Sequence, residues 1–212
     1  MKTVIIDYGS GNLRSAEKST ILAAKDLDMD ISVTSSPDEV RGADRIILPG
    51  VGAFADCMAG LNALEGMRSA LEEAVIEKAR PFLGICVGMQ LLACAGLEHG
   101  RAEGLGWIAG EVEILSFPDG ASLKIPHMGW NNLEIDQAHP ILHGINSGDH
   151  AYFVHSFQYK AADNNDVIAH VDYGGKVNAI IGRNNIVGTQ FHPEKSQQVG
   201  LKFLENFLKW SP

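Results

Sequence analysis

The sequence predicts an α/β fold: a mostly parallel central sheet with helices on both faces, plus an added antiparallel β region in the second half. Two observations carry this. In the first half, short apolar runs alternate with helical patterns, as in parallel strands joined by helical crossovers. In the second half, strand-like runs follow one another through hairpin-like turns such as Tyr173-Gly174-Gly175 and Arg183-Asn184-Asn185.

The elements follow in order. Thr3 to Ile6 reads as a buried strand that ends in the glycine-rich turn Asp7-Tyr8-Gly9-Ser10-Gly11-Asn12. A helix from about Leu13 to Lys25 leads to a strand near Ile31 to Thr34. Arg45 to Leu48 is a third strand, stopped by Pro49-Gly50-Val51-Gly52. A helix near Leu61 to Lys78 precedes the strand Pro81 to Ile85. Then Trp107 to Leu115, Asn131 to Ile135, Ala151 to Tyr159, Val167 to Val171, Val177 to Arg183 and Ile186 to Gln190 read as strands. Gln198 to Trp210 closes the chain as an amphipathic helix whose Val199, Phe203, Phe207 and Trp210 form a core-facing stripe. No internal repeat or linker interrupts this order, so one domain over residues 1–212 is expected.

Composition narrows the function. With 45% hydrophobic and 20% charged residues, the 212-residue chain suits one sizeable core. A formal net charge of −9 argues against non-specific nucleic-acid binding, which needs a positive field. Three cysteines, an odd number, do not make a disulfide framework and fit a reducing cytoplasm. The opening apolar run breaks at Asp7, too early for a signal peptide, and no run approaches membrane-spanning length.

The most informative segment is Pro81-Phe82-Leu83-Gly84-Ile85-Cys86-Val87-Gly88-Met89-Gln90. A cysteine with glycine two residues before and two after, between a strand and a helical pattern, has the layout of a nucleophile elbow. A thiol at a helix N-terminus is favoured as thiolate, the nucleophilic form. The bland alternative is a buried structural cysteine. A reactive cysteine also needs a base and a group to orient it. His192, in Gln190-Phe191-His192-Pro193-Glu194, follows a strand, and in an extended segment Glu194 would point to the same side. Together Cys86, His192 and Glu194 read as a triad.

These residues resemble the class I, triad-type glutamine amidotransferases. Asp7-Tyr8-Gly9-Ser10-Gly11-Asn12, Leu48-Pro49-Gly50-Val51-Gly52, Pro126-His127-Met128-Gly129-Trp130-Asn131, Tyr152-Phe153-Val154-His155-Ser156 and His192-Pro193-Glu194-Lys195-Ser196 narrow the resemblance. They are similar to the glutaminases of that family that serve imidazole glycerol phosphate synthesis. The likeness runs from the first strand to the last helix; one departure is Val87, where a leucine is more usual.

The resemblance implies that Cys86 attacks the glutamine side-chain amide, with His192 as base and acid and Glu194 orienting it. Backbone N–H groups of Val87 and of Val51 or Gly52 would serve the oxyanion, the latter after a rearrangement of the turn. It implies glutamine contacts at Gly52, Gln90 and Ser156. It further implies ammonia passing to a (β/α)8 cyclase partner in histidine biosynthesis, with Asn12, His127, Met128, Trp130, Tyr152 and Lys195 near the interface. Lys195, beside Glu194, could report docking through a salt bridge. No cofactor or metal is implied.

Other signals are weak. Gly9 to Arg14 lacks the third small residue of a dinucleotide fingerprint, and Pro140 between His139 and His143 makes zinc improbable. Cys57 and Cys94, in apolar helical patterns, read as packing residues. Two other readings stay open: a triad enzyme of the same sheet architecture feeding another synthase or acting as a peptidase, and a non-catalytic binding subunit.

Overall fold

A computed structural model of the chain describes residues 1–117 and 123–212. The first strands are β1 Lys2–Ile6, β2 Asp30–Thr34, β3 Arg45–Gly50 and β4 Phe82–Cys86. Next come β5 Ala95–Gly96, β6 Ala102–Glu103, β7 Gly110–Ile114, β8 His127–Asn132 and β9 Glu134–Ile135. The last are β10 His150–His155, β11 Phe157–Ala161, β12 Val167–Asp172, β13 Lys176–Arg183 and β14 Ile186–Thr189. The helices are α1 Leu13–Ala23, α2 Pro37–Arg41, α3 Phe54–Ala63, α4 Met67–Leu71, α5 Val87–Gln90 and α6 Gln197–Lys209.

The main sheet has the order β2-β1-β3-β4-β14-β13-β12-β9. Its first five strands are parallel, and β13, β12 and β9 extend it antiparallel. β1, β3 and β4 are buried on both faces, which is why they read as continuous apolar runs. From β1 the chain crosses outward to β2, then back past β1 to β3. Right-handed crossovers therefore set α1 on one face and α2, α3 and α4 on the other. In keeping with this, α1 packs on α6 and α2 on α4. The reversal leaves a crevice at the carboxyl ends of β1 and β3, where such sheets bind ligands. Two smaller sheets, β10-β8 and β11-β7-β5-β6, stand beside the main one. The stripe on α6 is core: Phe203 and Phe207 are fully buried, and Phe203 meets Phe191 edge-on at 5.6 Å. Each such ring stabilises the fold by roughly 1.5–3 kcal/mol.

Several elements depart from the sequence expectation. The helix expected over Leu61 to Lys78 begins earlier, as α3, and breaks at Gly66, whose φ of 79° leaves the helical region. It resumes as α4 and widens into a π-helical turn over Glu72–Glu77. The single strand expected over Ala151 to Tyr159 is two, β10 and β11, divided at Ser156 because each half pairs into a different sheet. Likewise Asn131 to Ile135 is divided between β8 and β9. β3 runs on through Pro49 to Gly50, and Cys94 lies in a loop whose N–H donates to the Gly110 carbonyl.

Candidate active site

Cys86 closes β4 with φ 55° and ψ −112°, a conformation unfavourable for a side chain and a mark of stored local strain. Its surroundings impose the turn. A Cβ on Gly88 would collide with the Leu48 carbonyl oxygen, and one on Gly84 would lie 2.5 Å from the Gly88 oxygen. Only glycine lets α5 press its backbone against β3 and β4. The helix after Cys86 is a single turn, shorter than the apolar pattern suggested.

The expected base arrives from the neighbouring strand. β14 runs parallel to β4 with Thr189 opposite Ile85, so the two chains leave the sheet side by side. His192 follows three residues after Thr189 and is buried. Its Nδ1 lies 2.8 Å from Glu194 Oε1, so Nδ1–H faces the carboxylate and Nε2 is left for the thiol. The segment is a 3-10 turn, Pro193–Lys195, rather than extended chain, so the turn and not strand alternation brings the two side chains together. Burial opposes charge on this imidazole, but Cys86 and Glu194 outweigh it and hold the ring up at about 9. Nε2 makes no hydrogen bond to any described residue within ordinary geometry.

Cys86 and His192 open on a cleft of about 230 Å³ whose lining includes Val51, Gly52, Val87, Gln90 and Lys195. Of the glutamine contacts expected, Gly52 and Gln90 line it. Ser156 does not; it sits at the β10–β11 break between two lining residues, His155 and Phe157, with its carbonyl taken by Leu115 N–H. The expected oxyanion donor Val51 is turned elsewhere. Its N–H donates to Ser10 Oγ at 3.1 Å, and Ser10 Oγ–H donates to the Val51 carbonyl at 2.6 Å. Cys57 Sγ, beneath the turn, also reaches that carbonyl at 3.4 Å.

The residues expected at a partner face divide by strand alternation. On β8, Met128 and Trp130 point outward at 62% and 47% exposure. His127, expected near the same face, points inward behind it and is 3% exposed. It stacks between Phe153, at 4.8 Å, and Tyr173, at 3.9 Å. Tyr152 meets the Trp130 ring at 5.8 Å across the β8–β10 pair. Lys195 makes no ion pair with Glu194; its Nζ lies 5.7 Å over the Tyr152 ring. Asn12 precedes α1 and caps it through its carbonyl, which accepts from Ala16 N–H.

Sequence reasoning missed two residues that line the cleft, Glu98 and His155, and one buried behind it, Gln190. Glu98 accepts from Phe54 N–H at the start of α3, His155 lines the wall, and Gln190 reaches Cys86. No local pattern marks them, because each acts across the fold. His139 uses its Nδ1 to accept from Ile141 N–H, as a turn cap. Among the described residues no group of three or more His, Cys, Asp or Glu is arranged to hold a metal ion.

Comparison with known proteins places these features. The model of the class-I glutamine amidotransferases matches residues 4–210. "Imidazole glycerol phosphate synthase subunit HisH" of Rhodospirillum rubrum is 56% identical over 215 residues, covering 100% of both chains. The protein of the same name from Agrobacterium fabrum is 56% identical over 217 residues, again with 100% of both covered. Among solved structures, a glutamine amidotransferase superposes with a TM-score of 0.70 at 20% identity, over 96% of this chain and 98% of that one. A putative GMP synthase subunit from Thermoplasma acidophilum superposes with a TM-score of 0.67 at 21% identity, over 99% and 92%. At that identity the structural likeness speaks for the fold.

Proposed function

This chain belongs to the class-I glutamine amidotransferase family, and from that membership we propose that it is the glutaminase subunit of imidazole glycerol phosphate synthase. It acts as one domain, in the cytoplasm, hydrolysing glutamine to glutamate and ammonia for histidine biosynthesis. The observation that carries the reading is the meeting of Cys86, on a strained strand end, with the His192–Glu194 pair in one cleft. Three free cysteines, and no described helix long and apolar enough to cross a membrane, support the location.

In the first step His192 Nε2 takes the Cys86 proton, and the sulfur attacks the side-chain amide carbon of glutamine to form a tetrahedral intermediate. The carbon–nitrogen bond breaks as His192 returns the proton to the leaving nitrogen, releasing ammonia and leaving a glutamyl thioester. Water, deprotonated by His192, then attacks the thioester, and glutamate leaves as the thiol re-forms. Glu194 holds the imidazole tautomer throughout. Val87 N–H and the turn Val51–Gly52 receive the oxyanion. Because Ser10 occupies the Val51 N–H, that turn rearranges before it donates. Gly52 and Gln90 hold the substrate, with Ser156, between the lining residues His155 and Phe157, as a further contact.

Ammonia passes to a (β/α)8 cyclase subunit, which combines it with N′-phosphoribulosyl-formimino-AICAR phosphate to give imidazole glycerol phosphate and AICAR. Met128, Trp130, Tyr152, Asn12 and Lys195 form the docking face; the exposed Met128 and Trp130 have the character of interface anchors. A coupled glutamate-release assay tests the whole. Turnover is expected to rise on adding the cyclase and its ligand, and to vanish in Cys86→Ala. Undiminished turnover in that variant sinks the nucleophile assignment, and equal turnover with and without the cyclase sinks the partner-controlled turn.

A further inference from the structure

Gln190 takes no part in the steps just described, yet its side chain is fully buried and its Nε2 donates to Cys86 Sγ at 3.7 Å. Its Oε1 accepts from Gln90 Nε2 at 3.0 Å, and the same Gln90 nitrogen donates to the Phe157 carbonyl at 3.2 Å. That carbonyl is also 2.8 Å from His155 Nδ1, whose Nε2 is 3.0 Å from His127 Nδ1. Asn131 ends the chain, its amide nitrogen 3.3 Å from His127 Nε2 and 3.0 Å from the Asp172 carbonyl.

Matching donors to acceptors leaves one arrangement. A carbonyl only accepts, so His155 carries its hydrogen on Nδ1 and offers Nε2 as a lone pair. His127 then donates from Nδ1 and accepts at Nε2 from Asn131. Burial holds both rings down at about 4, so they are neutral and the sense of donation is kept. The Phe157 carbonyl likewise requires Gln90 to present its NH₂ group, whose second hydrogen goes to Gln190 Oε1. Gln190 is thereby forced to turn its own NH₂ toward the sulfur. A flipped Gln190 would set two NH₂ groups against each other and an oxygen lone pair against Sγ.

We propose that Gln190 is a further catalytic residue, whose N–H steadies the Cys86 sulfur and whose orientation is imposed through Gln90 by the Phe157 carbonyl. Its bond gains most when His192 has taken the thiol proton, since charge-assisted hydrogen bonds are the stronger kind. Gln90, His155 and His127 are positioning residues behind it. The inference rests on Cys86 being the nucleophile, as proposed above.

The test is steady-state glutamate release by the complex with the cyclase and its ligand. Gln190→Met keeps length and volume but has no N–H. It should lower kcat roughly tenfold to hundredfold, with KM held within about threefold, because the lost contact is to the nucleophile and not to the substrate. A kcat within about twofold of the unchanged chain, or a raised KM at unchanged kcat, overturns the proposal. Gln190→Glu keeps an acceptor for Gln90 and sets a carboxylate oxygen against the sulfur in place of the donor, so it carries the test if the methionine variant does not fold. It too should lose kcat, and full kcat in it overturns the proposal. Cys86→Ala, run alongside, separates the two readings. If it still turns over, the function proposed above fails; if it is dead while Gln190→Met is fully active, only the Gln190 proposal fails.

Discussion

Replacing Ser10 by alanine acts on the restraint that keeps the oxyanion turn facing away from the cleft. The hydroxyl accepts from Val51 N–H at 3.1 Å and donates to the Val51 carbonyl at 2.6 Å. Val51 is 42% exposed, so water can replace either partner. Each bond then contributes about 0.5–1.5 kcal/mol net. Ser10→Ala removes both and leaves the Cys57 thiol as the contact to that carbonyl. The resting turn thus loses about 1–3 kcal/mol relative to the turned one, a change of about 5- to 150-fold in a two-state population. Glutamate release by the isolated chain, at saturating glutamine, should rise by up to that factor. Turnover in the complex should change far less if, as proposed, the partner favours the turned state. A basal rate equal to or below that of the unchanged chain refutes the idea that the Ser10 hydroxyl restrains the turn.

The His192 imidazolium, held up at about 9 against an ordinary 6.5, adds stability that is complete below pH 6.5 and lost as pH rises through about 9. Denaturant titrations at about pH 6.5 and 9.5 should show this loss, and Glu194→Gln should shrink it; an equal loss in that variant refutes the pairing. His127 and His155 behave oppositely. Burial holds both down to about 4, so the unfolded chain takes up protons that the fold refuses. Stability should fall as pH drops from about 6.5 to 4, by roughly 3 kcal/mol for each ring. His127→Phe, stacked between the same Phe153 and Tyr173 rings, should remove about half of that acid slope in urea unfolding, and an unchanged slope counts against it. Trp130→Ala should weaken binding to the cyclase at least about tenfold in a titration while leaving the melting point of the free chain within a degree or two; tight binding would remove Trp130 from the anchors.

The parallel half of the sheet and the elbow were legible because their causes are local. Apolar runs such as Ile46, Ile47 and Leu48 are buried on both faces, and Gly84 and Gly88 stand where backbone meets backbone. His192 and Glu194 were legible through their spacing, although the turn that joins them is not the extended chain expected. What stayed hidden is set by distant partners. Nothing in Ala151 to Tyr159 shows that Ser156 divides it, because the two halves pair with β8 and β7 far along the chain. The burial of His127 reverses the usual alternation: the apolar Met128 and Trp130 face outward, and the polar ring is accepted inside by His155 and Asn131. Gln190 carried no signal, since its meaning depends on Gln90, an amide 100 positions away.

Strand β10 is gripped from two sides. Along one edge it pairs with β8, and on the other side the Tyr152 carbonyl accepts from His192 N–H at 3.0 Å while Tyr152 N–H donates to Ser196 Oγ at 2.9 Å. Cys86 belongs instead to β4, in the middle of the eight-stranded sheet. His192 is therefore held between two sheets: it follows β14, which pairs with β4 in the main sheet, and its backbone N–H is tied to β10, with Phe153–Phe191 and Phe191–Phe203 ring contacts packed alongside. The ribbon that exposes Met128 and Trp130 is thus the one that also grips the His192 backbone.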